Sequence, residues 1–282
     1  MKKEVIECSG GKHIAKDVSR HLAAGYSKLK IKKFPDKELY VQLPPKKNIK
    51  GKKIILVQSF HGDNLNEKIV ETLFAFYTAK DLGASKVELF SPYFPYFRQD
   101  KRFNPGEVIS IQVISKMFKG FDKIYFIDPH LHRIKNLEEV FKNGKRLTSV
   151  DIITGYLKRK KIKDPVFVGP DVESEQWAKQ VADKLEEEST ILKKERYGDR
   201  KVKVKFSGGV EVKDKTVIIL DDIISTGHTM LETIKGVKKY KPKEIYCIAI
   251  HGIFTDKKQL DKLKKSAKVI STNTIPTKAA KI

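Results

Sequence analysis

Three features of the chain predict an α/β protein built on parallel sheets. Short apolar, β-branched runs alternate with stretches of helical, amphipathic spacing along nearly the whole length. Runs such as Val217-Ile218-Ile219-Leu220 are apolar at consecutive positions, which marks strands buried on both faces. The alternation starts afresh after about Arg146, so the 282 residues divide into two units of ordinary domain size, residues 1–146 and 147–282.

The elements follow in order. Val5–Cys8 reads as a strand, followed by the turn Ser9-Gly10-Gly11 and a helix through about Ala24. A strand before Phe34 and the run Leu39–Leu43 flank a proline turn, and Lys53–Gln58 is the next strand. Asp63 or Asn64 caps a long amphipathic helix ending at Leu82, where Gly83 supplies the left-handed stop. Val87–Ser91 is a strand, Val108–Phe118 a helix and Lys123–Asp128 a strand. In the second half Asp151–Lys158 and Ser174–Glu187 read as helices, with Val166–Gly169 a strand between them. Lys201–Phe206, with alternating lysines, reads as a more exposed strand. The Val217 strand, a helix and the strand Ile245–Ile250 follow.

Composition excludes several classes. An apolar content of 40% and a charged content of 33% describe a globular protein, and no apolar stretch reaches the roughly 18 residues a membrane span needs. The N-terminal residues lack a signal-peptide core, and Cys8 and Cys247 read as buried free thiols, which together predict a cytoplasmic protein. Net charge is +23, from 58 basic and 35 acidic residues. The lysines are scattered, and no zinc-finger spacing or RNA-binding aromatic signature accompanies them. The charge therefore reads as a solvated basic surface around polyanionic substrates, with no specific nucleic-acid partner and weak binding at low salt left open.

The chemistry concentrates in loops at strand ends, where ligands of open parallel sheets bind. Thr216–Met230 is the most informative stretch. Its strand is expected to stop at Asp221 and Asp222, and a hydroxyl-rich turn, Ser225-Thr226-Gly227-His228-Thr229, leads into a helix. Such a turn aims backbone N–H groups and hydroxyls at a phosphate, with the helix dipole behind them. The carboxylates suit ribose hydroxyls or a hydrated Mg²⁺. Helix capping accounts for isolated Asp, Ser and Thr residues but not for the whole run.

Four further loops are weaker alone. Phe34-Pro35-Asp36-Lys37-Glu38 is a stiff turn whose aromatic stands beside two acids, Asp36 and Glu38. Residues 91–107 combine aromatics, two prolines after the first and Arg98-Gln99-Asp100, with guanidinium for phosphate and rings expected as apolar walls for a base. Asp128-Pro129-His130-Leu131-His132 follows a buried strand; His130 suits a metal or a nucleotide phosphate, although the spacing is a poor zinc signature. Asp171 ends another strand, and Lys194 and Arg196 are a cation pair suited to charge developing on a transferring phosphoryl group.

The Asp221–Thr229 run resembles the phosphoribosyl-pyrophosphate loop shared by type I phosphoribosyltransferases and ribose-phosphate pyrophosphokinases. In this order and over nearly the full length, the five segments together resemble the ribose-phosphate pyrophosphokinases, most closely the short archaeal-type enzymes. The resemblance implies two similar domains of the type I phosphoribosyltransferase fold, each with a mainly parallel sheet flanked by helices. It implies Mg²⁺-dependent transfer of the β,γ-diphosphoryl group of ATP to the anomeric hydroxyl of ribose 5-phosphate, in a dimer or larger homo-oligomer. By matching position, Phe34, Asp36, Lys37, Glu38, Arg98, Gln99, Asp100 and His130 are implied in ATP binding, the first loop serving a neighbouring subunit. His130 and Asp171 are implied at the metal, Lys194 and Arg196 in transition-state stabilisation, and Asp221, Asp222 and Ser225 to Thr229 in ribose 5-phosphate binding.

Departures from the pattern are His228 in place of a usual glycine, Ser225 in place of a frequent Asp, Val172-Glu173-Ser174-Glu175 in place of a small glycine-containing stretch, and an early end after Pro276. A non-catalytic nucleotide-binding homologue and a phosphoribosyltransferase are the alternative readings. The intact Lys194 and Arg196 weigh against the first, and the N-terminal motifs against the second.

Overall fold

The computed structural model describes residues 1–197, 201–207 and 210–282, with backbone only for residues 193–197 and 201–205. The chain forms two compact units, Met1–Leu147 and Thr148–Ile282.

In the first unit, β1 (Lys3–Glu7), α1 (Ala15–His21), β2 (Gly25–Lys28), β3 (Lys30–Lys33), β4 (Leu39–Gln42) and β5 (Lys53–Val57) precede α2 (Leu65–Asp81). β6 (Lys86–Ser91), α3 (Ser110–Met117), β7 (Lys123–Ile127) and β8 (Gly144–Leu147) complete it. Six strands form one parallel sheet in the order β2-β1-β5-β6-β7-β8, and β3 and β4 make a separate antiparallel hairpin. Alternate strand residues face opposite sides. Ile6, Ile54, Leu56, Val87, Leu89, Ile124 and Phe126 belong to the large cluster that takes in α2 and α3, whereas Val5, Ile55 and Val57 pack with α1.

The second unit comprises α4 (Val150–Lys160), β9 (Pro165–Gly169), α5 (Glu175–Leu185), β10 (Ser189–Tyr197), β11 (Lys201–Phe206), β12 (Thr216–Ile224), α6 (His228–Lys238), β13 (Glu244–Gly252), α7 (Lys257–Ser266) and β14 (Lys268–Ser271). Its sheet runs β11-β10-β9-β12-β13-β14 and is parallel except for the β10–β11 pair. One face, with Phe167, Ile218, Leu220 and Ile248, packs against Trp177 and Val181 of α5 and Ile153 of α4; the other, with Val168, Ile219 and Cys247, packs against Ile234 of α6 and Leu263 of α7. Each unit is thus a three-layer sandwich around a mainly parallel sheet, as expected.

Two boundaries differ from the expectation. β12 does not stop at Asp221 and Asp222 but continues to Ile224, because Ile223 and Ile224 extend the pairing with His251 and Gly252 of β13. Cys8 lies just beyond β1, its N–H donating to the Val57 carbonyl. Both cysteines are free and buried, and burial pushes both thiols upward. Among the described residues no helix is long and apolar enough to cross a membrane.

Candidate active site

The turn after β12 is built around Gly227, whose φ of 88° lies in the left-handed region. A β-carbon there would stand 2.8 Å from Leu263 Cδ1, so glycine satisfies both the backbone conformation and the close approach of α7. Gly227 is the N-cap of α6 and no side chain caps that end. The first N–H groups of α6 therefore have neither helical nor side-chain partners and form, with the dipole, a site for an anion. The turn is fastened from below: Ile253 and Phe254 donate to the Ile224 carbonyl and Thr255 donates to that of Ser225. Thr226, His228 and Thr229 are exposed and Ser225 is half-buried.

Asp222 is buried and Asp221 half-buried at the end of the strand. Burial, then the charges of Asp222 and Asp171, pushes the Asp221 carboxyl well above the usual carboxylate range, although the Asp222 N–H donates to Asp221 Oδ1 at 2.9 Å. Asp171 thus belongs to the same electrostatic cluster. It stands two residues after β9, and its Oδ1 accepts both from the Ser174 N–H (2.9 Å) and from the Ser174 hydroxyl (2.8 Å), closing the turn that opens α5. Gly169 permits this turn, because a β-carbon would meet the Glu175 nitrogen at 2.9 Å. Lys194 and Arg196 fall on β10, in register with Val204 and Val202 of β11; their side chains lie outside the described residues.

In the first unit Phe34–Glu38 is the tip of the β3–β4 hairpin. The Phe34 N–H donates to the Glu38 carbonyl, the Lys37 N–H donates to the Phe34 carbonyl, and Asp36 accepts from the Glu38 N–H at 3.1 Å. Phe34 is half-exposed and meets Tyr40 edge-on. The 91–107 loop differs from the expectation. Tyr93, Phe94 and Phe97 are buried, and Phe94 contacts Phe60, Phe118, Phe126 and Phe141, so these rings are core and not walls for a base. Phe103 is the exposed ring, flanked by Lys101 and Arg133. Arg98 is exposed at the loop surface, and Gln99 accepts from the Ser110 hydroxyl at the start of α3. The Asp100 side chain is buried and pairs with Arg133 through Oδ1 at 2.8 Å, which ties the loop to the segment after β7. His130 is half-buried with His132 stacked beside it, just after Asp128, which is fully buried in a left-handed conformation and paired with Arg146.

Residues 4–121 match the family model for the N-terminal domain of ribose phosphate pyrophosphokinase, and residues 134–281 match that for the phosphoribosyl transferase domain. The ribose-phosphate pyrophosphokinase of Pyrococcus abyssi is 34% identical over 97% of this chain and 93% of its own length. The chain belongs to the ribose-phosphate pyrophosphokinase family. The pyrophosphokinase of Thermococcus kodakarensis is similarly close, at 33% identity over 97% of this chain and 95% of its own. A crystal structure of phosphoribosylpyrophosphate synthetase from Mycobacterium smegmatis matches the fold with a TM-score of 0.85, at 24% identity, over 100% of this chain and 92% of that one. As a member of the pyrophosphokinase family, the protein is an enzyme.

Three features of this pyrophosphokinase were missed in the sequence. Gln259 reaches His228 from α7. Arg146 compensates the buried Asp128. A buried polar cluster also joins the ends of β1 and β5 to α2: Glu71 accepts from the Ser9 N–H at 2.8 Å and from the Gln58 amide at 3.1 Å, while the Lys68 ammonium donates to Asn64 at 2.8 Å and to the His61 carbonyl. Lysine and glutamate at the inward-facing positions 68 and 71 of an amphipathic helix were the available signal.

Proposed function

We propose that the protein transfers the β,γ-diphosphoryl group of ATP to the C1 hydroxyl of ribose 5-phosphate, forming phosphoribosyl pyrophosphate and AMP. The observation that carries this reading is the uncapped N-terminus of α6 behind Ser225–Thr229, with the carboxylates Asp221 and Asp222 on the strand leading into it.

The backbone N–H groups and hydroxyls of Ser225, Thr226 and Thr229 take the sugar 5-phosphate. Asp221 and Asp222 accept hydrogen bonds from the ribose hydroxyls and fix the ring. The C1 oxygen attacks the β-phosphorus as its proton passes to water, the bond from that phosphorus to the α-phosphate oxygen breaks, and AMP departs. Alignment and charge neutralisation supply most of the acceleration in such transfers. Lys194 and Arg196 meet the charge on the transferring group. Arg98 and Gln99 hold the nucleotide phosphates, and Phe34, Asp36, Lys37 and Glu38 hold the adenine of a neighbouring subunit.

Mg²⁺ fits the residues present. Among the described residues no three side chains close into a cage, but Mg²⁺ keeps most of its waters and takes only one or two carboxylates alongside substrate phosphates. Asp171, Asp221 and Asp222 are oxygen donors whose mutual repulsion a divalent cation relieves. The nitrogen donor His130 suits it less well and matches a phosphate oxygen better. Bound Mg²⁺ would neutralise the polyphosphate and polarise the β-phosphorus. Self-association is supported by an apolar stripe, Val70, Phe74 and Tyr77, left exposed on one face of α2.

Incubation with ATP, Mg²⁺ and ribose 5-phosphate, followed by phosphorus NMR, is expected to show AMP and phosphoribosyl pyrophosphate in equal amounts. Formation of ADP, or no turnover, rejects the reading.

A further inference from the structure

The second unit has another distinctive edge, remote along β12 from the Ser225–Thr229 turn. Its parallel strands β9, β12, β13 and β14 begin side by side: Thr216 pairs with both Pro165 and Glu244, and Lys268 pairs with Tyr246. Each helix returns the chain to this edge, so the helix-to-strand connections collect there. The sequence loads two of them with lysine, at Lys238, Lys239, Lys241 and Lys243 from the end of α6 to the start of β13, and at Lys264, Lys265 and Lys268 around the passage from α7 to β14.

A hollow of about 510 Å³ lies between these two connections, lined by Lys238, Lys241, Lys243, Lys264, Lys265 and Lys268, with Glu244 its one acid. Lys268 pairs with Glu244 and covers the Tyr246 ring. The other five lysines are exposed and make no ion pair among the described residues. A cation at a helix C-terminus offsets the dipole, which accounts for Lys238 and for Lys264 or Lys265. Lys241 and Lys243 lie beyond α6 and have no such role. Nor is positive charge general along this edge. The adjoining hollow, about 720 Å³, is lined by five lysines and five acids (Asp164, Glu187, Glu188, Asp214 and Glu244) and is balanced.

The geometry points to the lysine-lined hollow as a docking surface for the phosphate backbone of duplex nucleic acid, bound without regard to sequence. Ammonium groups act as point charges on phosphates and lack the guanidinium fork that reads base edges. Tyr246 is buried, so no ring is offered for stacking unpaired bases. None of the large exposed apolar side chains of the described residues lies here, which removes the insertion that firm attachment to a membrane requires. The inference is independent of the reading of the catalytic site, since the hollow lies at the opposite end of β12.

The test is fluorescence anisotropy of the full chain with a labelled 20-base-pair duplex between 50 and 300 mM salt. Each phosphate contact contributes about 0.9 to the slope of log affinity against log salt, so four to five lysines predict a slope near −4. A variant with Lys238, Lys241, Lys264 and Lys265 all changed to Glu is expected to bind at least tenfold more weakly at 100 mM salt and to keep full phosphoribosyl pyrophosphate synthesis. A control with Lys46, Lys47, Lys116 and Lys119 changed to Glu alters net charge equally and is expected to lose less than threefold. Equal losses in the two variants, a slope near zero, tighter binding to single strands, or binding to vesicles containing phosphatidylserine in preference to the duplex would each overturn the proposal.

Discussion

Gln259 of α7 donates its amide N–H to His228 Nε2 across 2.9 Å, and the imidazole Nδ1 lies 3.1 Å from the Thr226 hydroxyl. With Nε2 accepting, the proton resides on Nδ1 and is donated to Thr226, which leaves the Thr226 hydroxyl hydrogen for a ligand. Gln259 is itself fixed, its backbone N–H donating to the N-cap Asp256 at 3.0 Å. His228 therefore ties the turn to α7 and does not project freely from it. Gln259→Ala is expected to raise KM for ribose 5-phosphate about fivefold, the worth of one hydrogen bond of roughly 1 kcal/mol, with kcat within twofold. His228→Gly should do at least as much, since glycine adds about 1 kcal/mol of helix cost. Unchanged KM in both variants would remove the positioning role.

Gly227→Ala should be costly for two separable reasons. An L-residue at a φ of 88° is strained by about 1 kcal/mol, and the added carbon stands 2.8 Å from Cδ1 of the fully buried Leu263, which must shift within the core. Gly106 has a similar φ of 83° with nothing within 4 Å. Urea unfolding of the two alanine variants should give a loss of about 1 kcal/mol for Gly106 and about 2–3 kcal/mol for Gly227, with unchanged m-values. Equal losses would mean that the approach of α7 carries no weight.

The layers were legible because buried parallel strands declare themselves as consecutive apolar residues, as in β9 and along most of β12. At the end of β12 two carboxylates suggest a stop, and the Ile223-Ile224 pair behind them suggests continuation. Only the pairing with β13 settles that choice. The aromatics of residues 91–103 are not legible as core in the sequence, because a loop has no periodicity to say which rings turn inward. Phe94 and Phe97 are held by Phe126 and Phe141, which come from later elements. The same holds for polar partners: Ser9 and Glu71 stand 62 positions apart, and His228 and Gln259 31 apart. The turn at Ser225–Gly227 and the helix behind it are legible since their parts are contiguous.

The proposed self-association has a defined surface. Val70, Phe74 and Tyr77 follow at spacings of four and three on α2, while Ile69, Ala75, Phe76 and Ala79 face the core. Phe74 is half-exposed, so Phe74→Glu is expected to leave the circular dichroism spectrum unchanged and to shift light scattering toward the 32.3 kDa monomer. An assembly that keeps its mass with Glu at position 74 would place the interface elsewhere.

His61 links the buried cluster of the first unit to pH. Burial, then the neighbouring Lys68 ammonium and His13, lowers its pKa from 6.5 to about 4, against a smaller opposing hydrogen bond at Ser59. The folded protein therefore resists protonating His61, while the unfolded chain binds the proton readily below pH 6.5. Stability is not penalised above pH 6.5, falls as pH drops from 6.5 towards 4, and stops changing on this account below about 4. A fully buried imidazole with this shift would account for about 3 kcal/mol; solvent reaches His61, which reduces the expected effect to roughly 1 kcal/mol. Glu71 opposes it, because burial raises its carboxyl and stability then falls as pH rises above the ordinary carboxylate range. The measurement is thus a difference. Between pH 7 and pH 4.5 the wild type should lose about 1 kcal/mol more unfolding free energy than His61→Asn, since only the wild type bears the imidazole penalty. A constant gap between the two proteins would show that His61 titrates alike in the folded and unfolded chains.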